Sequence, residues 1–248
     1  MNQPVSLLHA HPQLTLALDT APGATFDSFH VDESTRLVLD SMRAFAGGGL
    51  DEVQIYLWGD MGTGKSHLLS AACQWFSHKG YRVAYMPGEM INHPGALEGM
   101  EYCDLLCIDD LQRLDHASEV DLFHCINRCR QMQSRLILAA DRAPDRLGLA
   151  LKDLETRLAW GLVCHTQPMG DEGLRQALRK EIENRSLQAS DEVIGYVLRR
   201  FPRRMSALKS VVDTLDEVSL TEQRRITIPL VKSVFGEAER AALSENLR

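Results

Sequence analysis

Residues 59–66 read GDMGTGKS, which satisfies G-x-x-x-x-G-K-[ST] at every fixed position. In that pattern the glycines let successive backbone N–H groups curl around phosphate oxygens, and the helix that opens there adds a favourable dipole. Lys65 then reaches the terminal phosphates, and Ser66 supplies an oxygen to Mg²⁺. Gly59, Asp60, Met61, Gly62, Thr63, Gly64, Lys65, Ser66 and the adjoining His67 form the candidate cofactor-binding loop, with ATP or ADP as ligand.

Such a loop needs a second metal-organising oxygen, and LLCIDD at 105–110 provides one. Four apolar residues drive a strand through the sheet, so Asp109 emerges at its C-terminal end, where open α/β sheets bind ligands. Asp109 is the candidate Mg²⁺ carboxylate, and Asp110 is placed to polarise an attacking water or to cap the next helix. Asp141, ending LILAAD, lies beside Asp109 if the two strands are neighbours; otherwise it is a turn residue. Arg157 in DLETRLAWG lies on a short helix, where an arginine is most often a solvated surface charge. Arg203 and Arg204, opening a later helix, are placed to cap a nucleotide held between two domains.

The elements that must position these groups follow from periodicity. DESTRLVLDSMRAFAGGG predicts a helix starting near Asp32 or Ser34 and ending at Gly47 to Gly49. VQIYLWG, YRVAYMP, DLLCIDD, RLILAAD and LVCHTQP are short apolar runs suited to buried parallel strands. Helical spacing fills the gaps between most of them, which predicts βαβ units and an α/β fold with a five-stranded parallel sheet. From Pro168 onward the spacing is helical throughout, with Ser190 and Ser206 as N-terminal signals. The expected organisation is a tail (1–24), an α/β nucleotide-binding domain (25–167) and a small all-helical lid (168–248).

Composition narrows the function classes. A net charge of −7 argues against broad electrostatic capture of nucleic acid. No apolar run approaches the roughly 20 residues of a membrane span, and the N-terminus lacks a signal-peptide pattern, so a cytoplasmic protein is expected. Six cysteines fit a reducing compartment. Cys103/Cys107 and Cys125/Cys129 repeat at a spacing of four, with His124 beside one pair, but they fall on apolar faces and read as core residues.

Taken together, TFDSFHV, LWGDMGTGKSHLL, LLCIDDLQ, RLILAADRAP, LETRLAWGL and RRMSAL stand in the order found in the DnaA branch of the AAA+ ATPases, which the chain resembles over roughly 25–235. The resemblance implies a P-loop AAA+ core with a helical lid, a sensor-1 role for Asp141, an arginine finger at Arg157 acting in trans, and sensor 2 at Arg203. It also implies a base pocket beginning at Phe29, His30 and Val31. Arg204 departs from the DnaA pattern, in which an acidic residue usually follows. The 87–103 connector is too short for the helical insertion with which DnaA engages origin DNA, and the chain stops where DnaA's DNA-binding domain would begin.

Those features resemble the Hda-type regulators, which act with the sliding clamp to make DnaA hydrolyse its ATP. Near the N-terminus, QLTLAL at 13–18 alternates apolar and polar residues like a strand without a sheet. It is similar to the Hda clamp-binding peptide except for Ala17 in place of proline, so Gln13, Leu14, Leu16 and Leu18 are the expected clamp contacts. The resemblance implies DnaA, the clamp and an adenine nucleotide (ADP in particular) as partners, DNA contact mainly through the clamp, and a homo-oligomer, with weak or no ATPase of its own. The rival readings are a self-contained AAA+ ATPase such as a helicase loader, and a DNA-binding module using Arg199, Arg200, Arg203 and Arg204.

Overall fold

The structure is a computed structural model and describes residues 23–222 and 225–245. Parallel strands β1 (Gln54–Trp58), β2 (Val83–Pro87), β3 (Leu105–Asp109), β4 (Arg135–Ala140) and β5 (Leu162–His165) form a sheet in the order β2-β3-β4-β1-β5. Successive side chains of a strand face opposite ways, so each strand feeds two cores. Ile55, Leu57, Leu105, Cys107, Ile137 and Ala139 pack with helices α1 (Glu33–Gly47) and α2 (Lys65–His78). Tyr56, Leu106, Ile108, Leu136 and Leu138 pack on the other face with α3 (Glu119–Gln131) and α4 (Lys152–Leu158).

Local signals start the helices. Asp32 caps α1, accepting from the Thr35 N–H at 3.0 Å while the Thr35 hydroxyl accepts from the Asp32 N–H. That reciprocal pair satisfies two otherwise orphaned donors. Between β2 and β3 the chain makes two short 3-10 turns, Gly88–Asn92 and Met100–Tyr102, and no long helix pair.

A third core gathers α5 (Asp171–Asn184), α6 (Asp191–Arg200), α7 (Met205–Glu222) and α8 (Ile228–Glu245) around Leu178, Ile194, Leu208 and Val212, forming the helical lid. Ser190 stands at the α6 cap position without a side-chain bond. Ser206 is not a cap: α7 begins one residue earlier, and the Ser206 carbonyl already accepts from the Ser210 hydroxyl. Cys73, Cys107, Cys125, Cys129 and Cys164 are buried free thiols, while Cys103 is half-buried. Burial pushes the Cys107 thiol well up, as expected of a core cysteine. QLTLAL lies outside the described residues.

Candidate functional site

Strand register brings the predicted groups to one edge of the sheet. Trp58 pairs with Ala140, and Ile108 with Leu138. Gly59 and Asp141 therefore leave the sheet at the same level, with Asp109 on the adjoining strand. The loop between β1 and α2 is a backbone cradle in which Gly62 (φ +88°) and Gly64 (φ +93°) occupy the left-handed region. A Cβ on Gly64 would lie 2.6 Å from Phe29 Cε2, so neither the backbone angle nor the space admits another residue there. Lys65 is buried, and its ammonium donates to the carbonyls of Gly59 (2.6 Å) and Asp60 (2.9 Å). Burial lowers its pKa, and the charges of Asp109, Asp110, Asp141 and Asp60 oppose that shift.

Asp109 is buried at the end of β3, accepting from the Tyr85 hydroxyl at 2.8 Å and the Asp110 N–H at 2.9 Å. Burial and the Asp109 carboxylate together push the Tyr85 phenol far above its usual range, so it stays a donor. Asp110 adopts left-handed backbone (φ 54°) at the cap position of a 3-10 turn, Leu111–Arg113, without making a side-chain cap bond. Its carboxylate instead accepts from Gln112 Nε2 at 2.8 Å, and Gln112 Oε1 accepts from the Asp141 N–H at 3.1 Å. Gln112 thus joins the two candidate water-positioning acids, a role with no signal in the sequence beyond its place after LLCIDD. Asp141 Oδ1 is buried without a hydrogen-bond partner. The glycine cradle fits a phosphate ligand, Ser66 and Asp109 offer the oxygen donors Mg²⁺ takes, and the orphaned Asp141 oxygen is an acceptor open to a water.

Beside the cradle, Phe29, His30 and His67 meet Met169, Met205 and Lys209 of the lid around a small cavity. His67 Nε2 lies 2.9 Å from the Thr25 carbonyl, and the His67 ring lies 5.4 Å from that of Phe29. His30 Nε2 lies 3.4 Å from Glu181 Oε2. Burial lowers the pKa of both histidines. Burial raises Glu181, but Arg185 and Lys209 overcome it and hold the carboxyl below its usual range. Val31, at 38% exposed, lines an adjoining groove together with Phe29 and His30, beside Phe26, Leu39 and Lys180.

The structure sets Arg203 and Arg204 in different directions. The Arg203 guanidinium pairs with Asp171 at 2.7 Å on an exposed flank of the lid, whereas Arg204 sits on the cradle. The two side chains diverge because the segment entering α7 turns tightly, with the Arg204 N–H donating to the Pro202 carbonyl at 2.8 Å.

Arg157 lies near the end of α4, and both ends of that helix are held by buried polar side chains. Glu119 accepts from the N–H groups of Ala150 (3.1 Å) and Leu151 (2.6 Å) at the start. Gln54 Nε2 donates to the carbonyls of Arg157, Leu158 and Trp160 at the finish. The Arg157 guanidinium lies 3.7 Å from the Trp160 ring centroid and 5.3 Å from that of Phe123. Gln54 begins β1 and Gly59 follows its end, so the helix carrying Arg157 and the cradle are separated by about 16 Å of strand. Neither Gln54 nor Glu119 stands out in the sequence, since each acts on residues more than thirty positions away.

Residues 21–165 match the family described as the bacterial DnaA ATPase domain, and residues 171–235 match the Hda lid domain. The chain belongs to the bacterial DnaA ATPase-domain family. Among solved structures, domain III of the DnaA replication initiation protein from Thermotoga maritima superposes with a TM-score of 0.78 at 21% identity, covering 88% of this chain and 98% of that one. AMPPCP-bound DnaA from Aquifex aeolicus gives 0.71 at 25% identity, covering 81% and 67%. The RuvB Holliday junction branch migration motor of T. maritima gives 0.67 at 17%, covering 86% and 71%, which shows the shared AAA+ fold alone. As in other DnaA-family chains, an α/β AAA+ core here carries a helical lid. No helix among the described residues is long and apolar enough to cross a membrane.

Proposed function

We propose that this DnaA-related AAA+ protein is an Hda-type regulator: it binds adenine nucleotide, ADP in particular, docks on the DNA-loaded sliding clamp, and promotes hydrolysis of DnaA-bound ATP. The observation that carries the reading is the placement of Arg157. It is held at the opposite end of β1 from its own cradle, on a helix fixed at both ends, so the phosphate it serves belongs to another molecule. There the guanidinium sets positive charge against the transferring phosphoryl group, which in other systems is worth about 10³–10⁵ in rate.

In this reading the cradle is a ligand-dependent support for the lid. Lys65 holds the terminal phosphate, Phe29, His30 and His67 hold the base, and Asp109 and Ser66 hold Mg²⁺, which would neutralise phosphate charge when bound. AMPPCP bound to the A. aeolicus relative supports an adenine nucleotide as ligand. Gln13, Leu14, Leu16 and Leu18 form the clamp peptide.

The test measures DnaA ATP hydrolysis with clamp-loaded DNA and this protein. Stimulation by wild type that disappears in Arg157→Ala is the expected result; undiminished stimulation by the variant overturns the finger. Clamp pull-down by wild type and by a Gln13→Ala/Leu14→Ala variant tests the peptide separately.

The set Lys65, Asp109, Asp110 and Asp141, complete in one chain, favours a second reading, a self-contained ATPase. Rapid ATP turnover by this protein alone, indifferent to clamp and DnaA, would select it.

A further inference from the structure

The lid carries a second group of arginines, away from the nucleotide site. Arg175 of α5, Arg199 near the end of α6 and Arg203 before α7 border one open hollow of about 210 Å³ on the lid's exposed flank. Leu174, Gly195 and Leu198 complete its lining, and none of these residues touches the cavity beside the cradle.

Gly195 is where the charges converge. A Cβ there would lie 3.3 Å from Arg199 Nη1 and 3.9 Å from Arg175 Nη1, so guanidiniums from two helices meet over one bare stretch of α6. Glycine inside a helix is less favourable than alanine, and here the missing methyl is the space in which the two forks come together. Like charges held this close repel unless an anion lies between them. Asp171 pairs with Arg203 at 2.7 Å, and Glu172 lies 3.8 Å from Arg175 Nε. No carboxylate lies within ion-pair distance of Arg199 among the described residues. One positive charge is therefore left over, on an exposed side chain, in a chain whose net charge is −7.

A single uncompensated guanidinium matches a single negative charge, which is what one phosphodiester of a DNA backbone carries. The hollow is open, so a strand can run across it. The chain as a whole is too acidic to collect DNA from solution, so such a contact acts only where another surface already holds the protein beside a duplex. Docking on the DNA-loaded clamp supplies that surface, and the inference rests on that reading.

We propose that Arg199 and Arg175, converging over Gly195, form a DNA-backbone contact on the outer flank of the lid, engaged once the protein is docked on the loaded clamp. The contact is independent of base sequence and fixes the direction of the lid relative to the duplex.

The experiment measures affinity of the full chain for clamp loaded on duplex DNA and for clamp without DNA, from about 50 to about 200 mM salt. The proteins compared are wild type, Arg199→Gln, Arg199→Lys and Gly195→Ala. Wild type is expected to prefer the loaded clamp by about fivefold at the lowest salt, the upper end for one exposed charge pair. Its salt slope on the loaded clamp should be steeper by about one. Arg199→Gln should lose both the preference and the extra slope, and Arg199→Lys should keep the slope with a smaller preference. Gly195→Ala should lower the preference without lowering the melting temperature, because its methyl crowds the guanidiniums but not the helix. An unchanged preference in Arg199→Gln overturns the proposal, and so does an equal loss on clamp without DNA, which would give the hollow to a protein partner. Abolition of the preference by millimolar inorganic phosphate at matched ionic strength would make the hollow a free-phosphate site and overturn the DNA assignment. Failure of wild type to bind the clamp at all overturns the clamp reading instead. Duplex binding at the lowest salt that is lost in Arg199→Gln would then still support the hollow, and its absence would overturn both.

Discussion

The Gln54 side-chain amide donates to the Arg157 carbonyl at 2.8 Å, tying the first residue of β1 to the helix that carries the candidate finger. The same nitrogen serves Leu158 at 3.1 Å and Trp160 at 2.9 Å. The last carbonyls of a helix have no partners within it, and here one buried amide supplies them. Replacing Gln54 with Leu keeps the volume and removes the donor. The expected cost is about 2 kcal/mol of unfolding free energy in urea melts, from the Leu158 and Trp160 carbonyls losing this donor, while the Arg157 carbonyl keeps the Trp160 N–H at 3.2 Å. A variant as stable as wild type would mean that these carbonyls find other donors.

Arg157 and Trp160 separate chemistry from positioning. In the DnaA hydrolysis assay, Arg157→Ala is expected to lower the stimulated rate by roughly 10³-fold, the lower end for fingers supplied in trans. Trp160→Leu removes the aromatic face on which the guanidinium rests at 3.7 Å, and which Arg130 shares at 4.0 Å. A cation–π contact worth about 1 kcal/mol predicts a loss of about fivefold, with Arg157 still present. Both variants should bind ADP like wild type, because the cradle lies at the other end of β1.

Gly64→Ala tests the cradle by shape rather than charge. The added methyl would lie 2.6 Å from the Phe29 ring, at a backbone φ of +93° that L side chains avoid. ADP binding should weaken by about tenfold or more, consistent with local strain of 1–3 kcal/mol. Adding Phe29→Leu relieves the contact but not the backbone angle, so the double variant should recover only in part. Full recovery would assign the whole effect to the ring.

Acidification tests the interdomain histidines. Burial depresses the pKa of His30 and His67, so the unfolded chain binds protons that the folded chain refuses. Their contribution to stability is therefore complete above the ordinary histidine value and is lost as pH falls below about 6.5. The melting temperature should fall between pH 7.5 and 5.5, and less steeply in a His30→Gln/His67→Gln variant. Identical slopes would show that other groups carry the acid sensitivity.

The sheet and the cradle were legible because their information is contiguous: Gly59 to Ser66 span a few successive residues, and each strand is one apolar run closed by a glycine, proline or acid. Asp109 and Asp141 could be placed from strand ends alone, and the parallel register put them at one edge. Pairings across long separations were not legible. Gln54 and Glu119 read as ordinary polar residues until the fold brings α4 between them, and Arg203 and Arg204 look equivalent until the turn into α7 separates their directions.

The buried hydroxyls of Thr63 and Thr166 lie 2.7 Å apart. One belongs to the phosphate loop, and the other opens the short segment that runs from β5 into the lid. Gly59 crosses the same spot so closely that a side chain on it would overlap the Thr166 carbonyl. The phosphate loop and the segment leading into the lid therefore share one buried contact, so a side chain changed at Thr63 or Thr166 touches both at once.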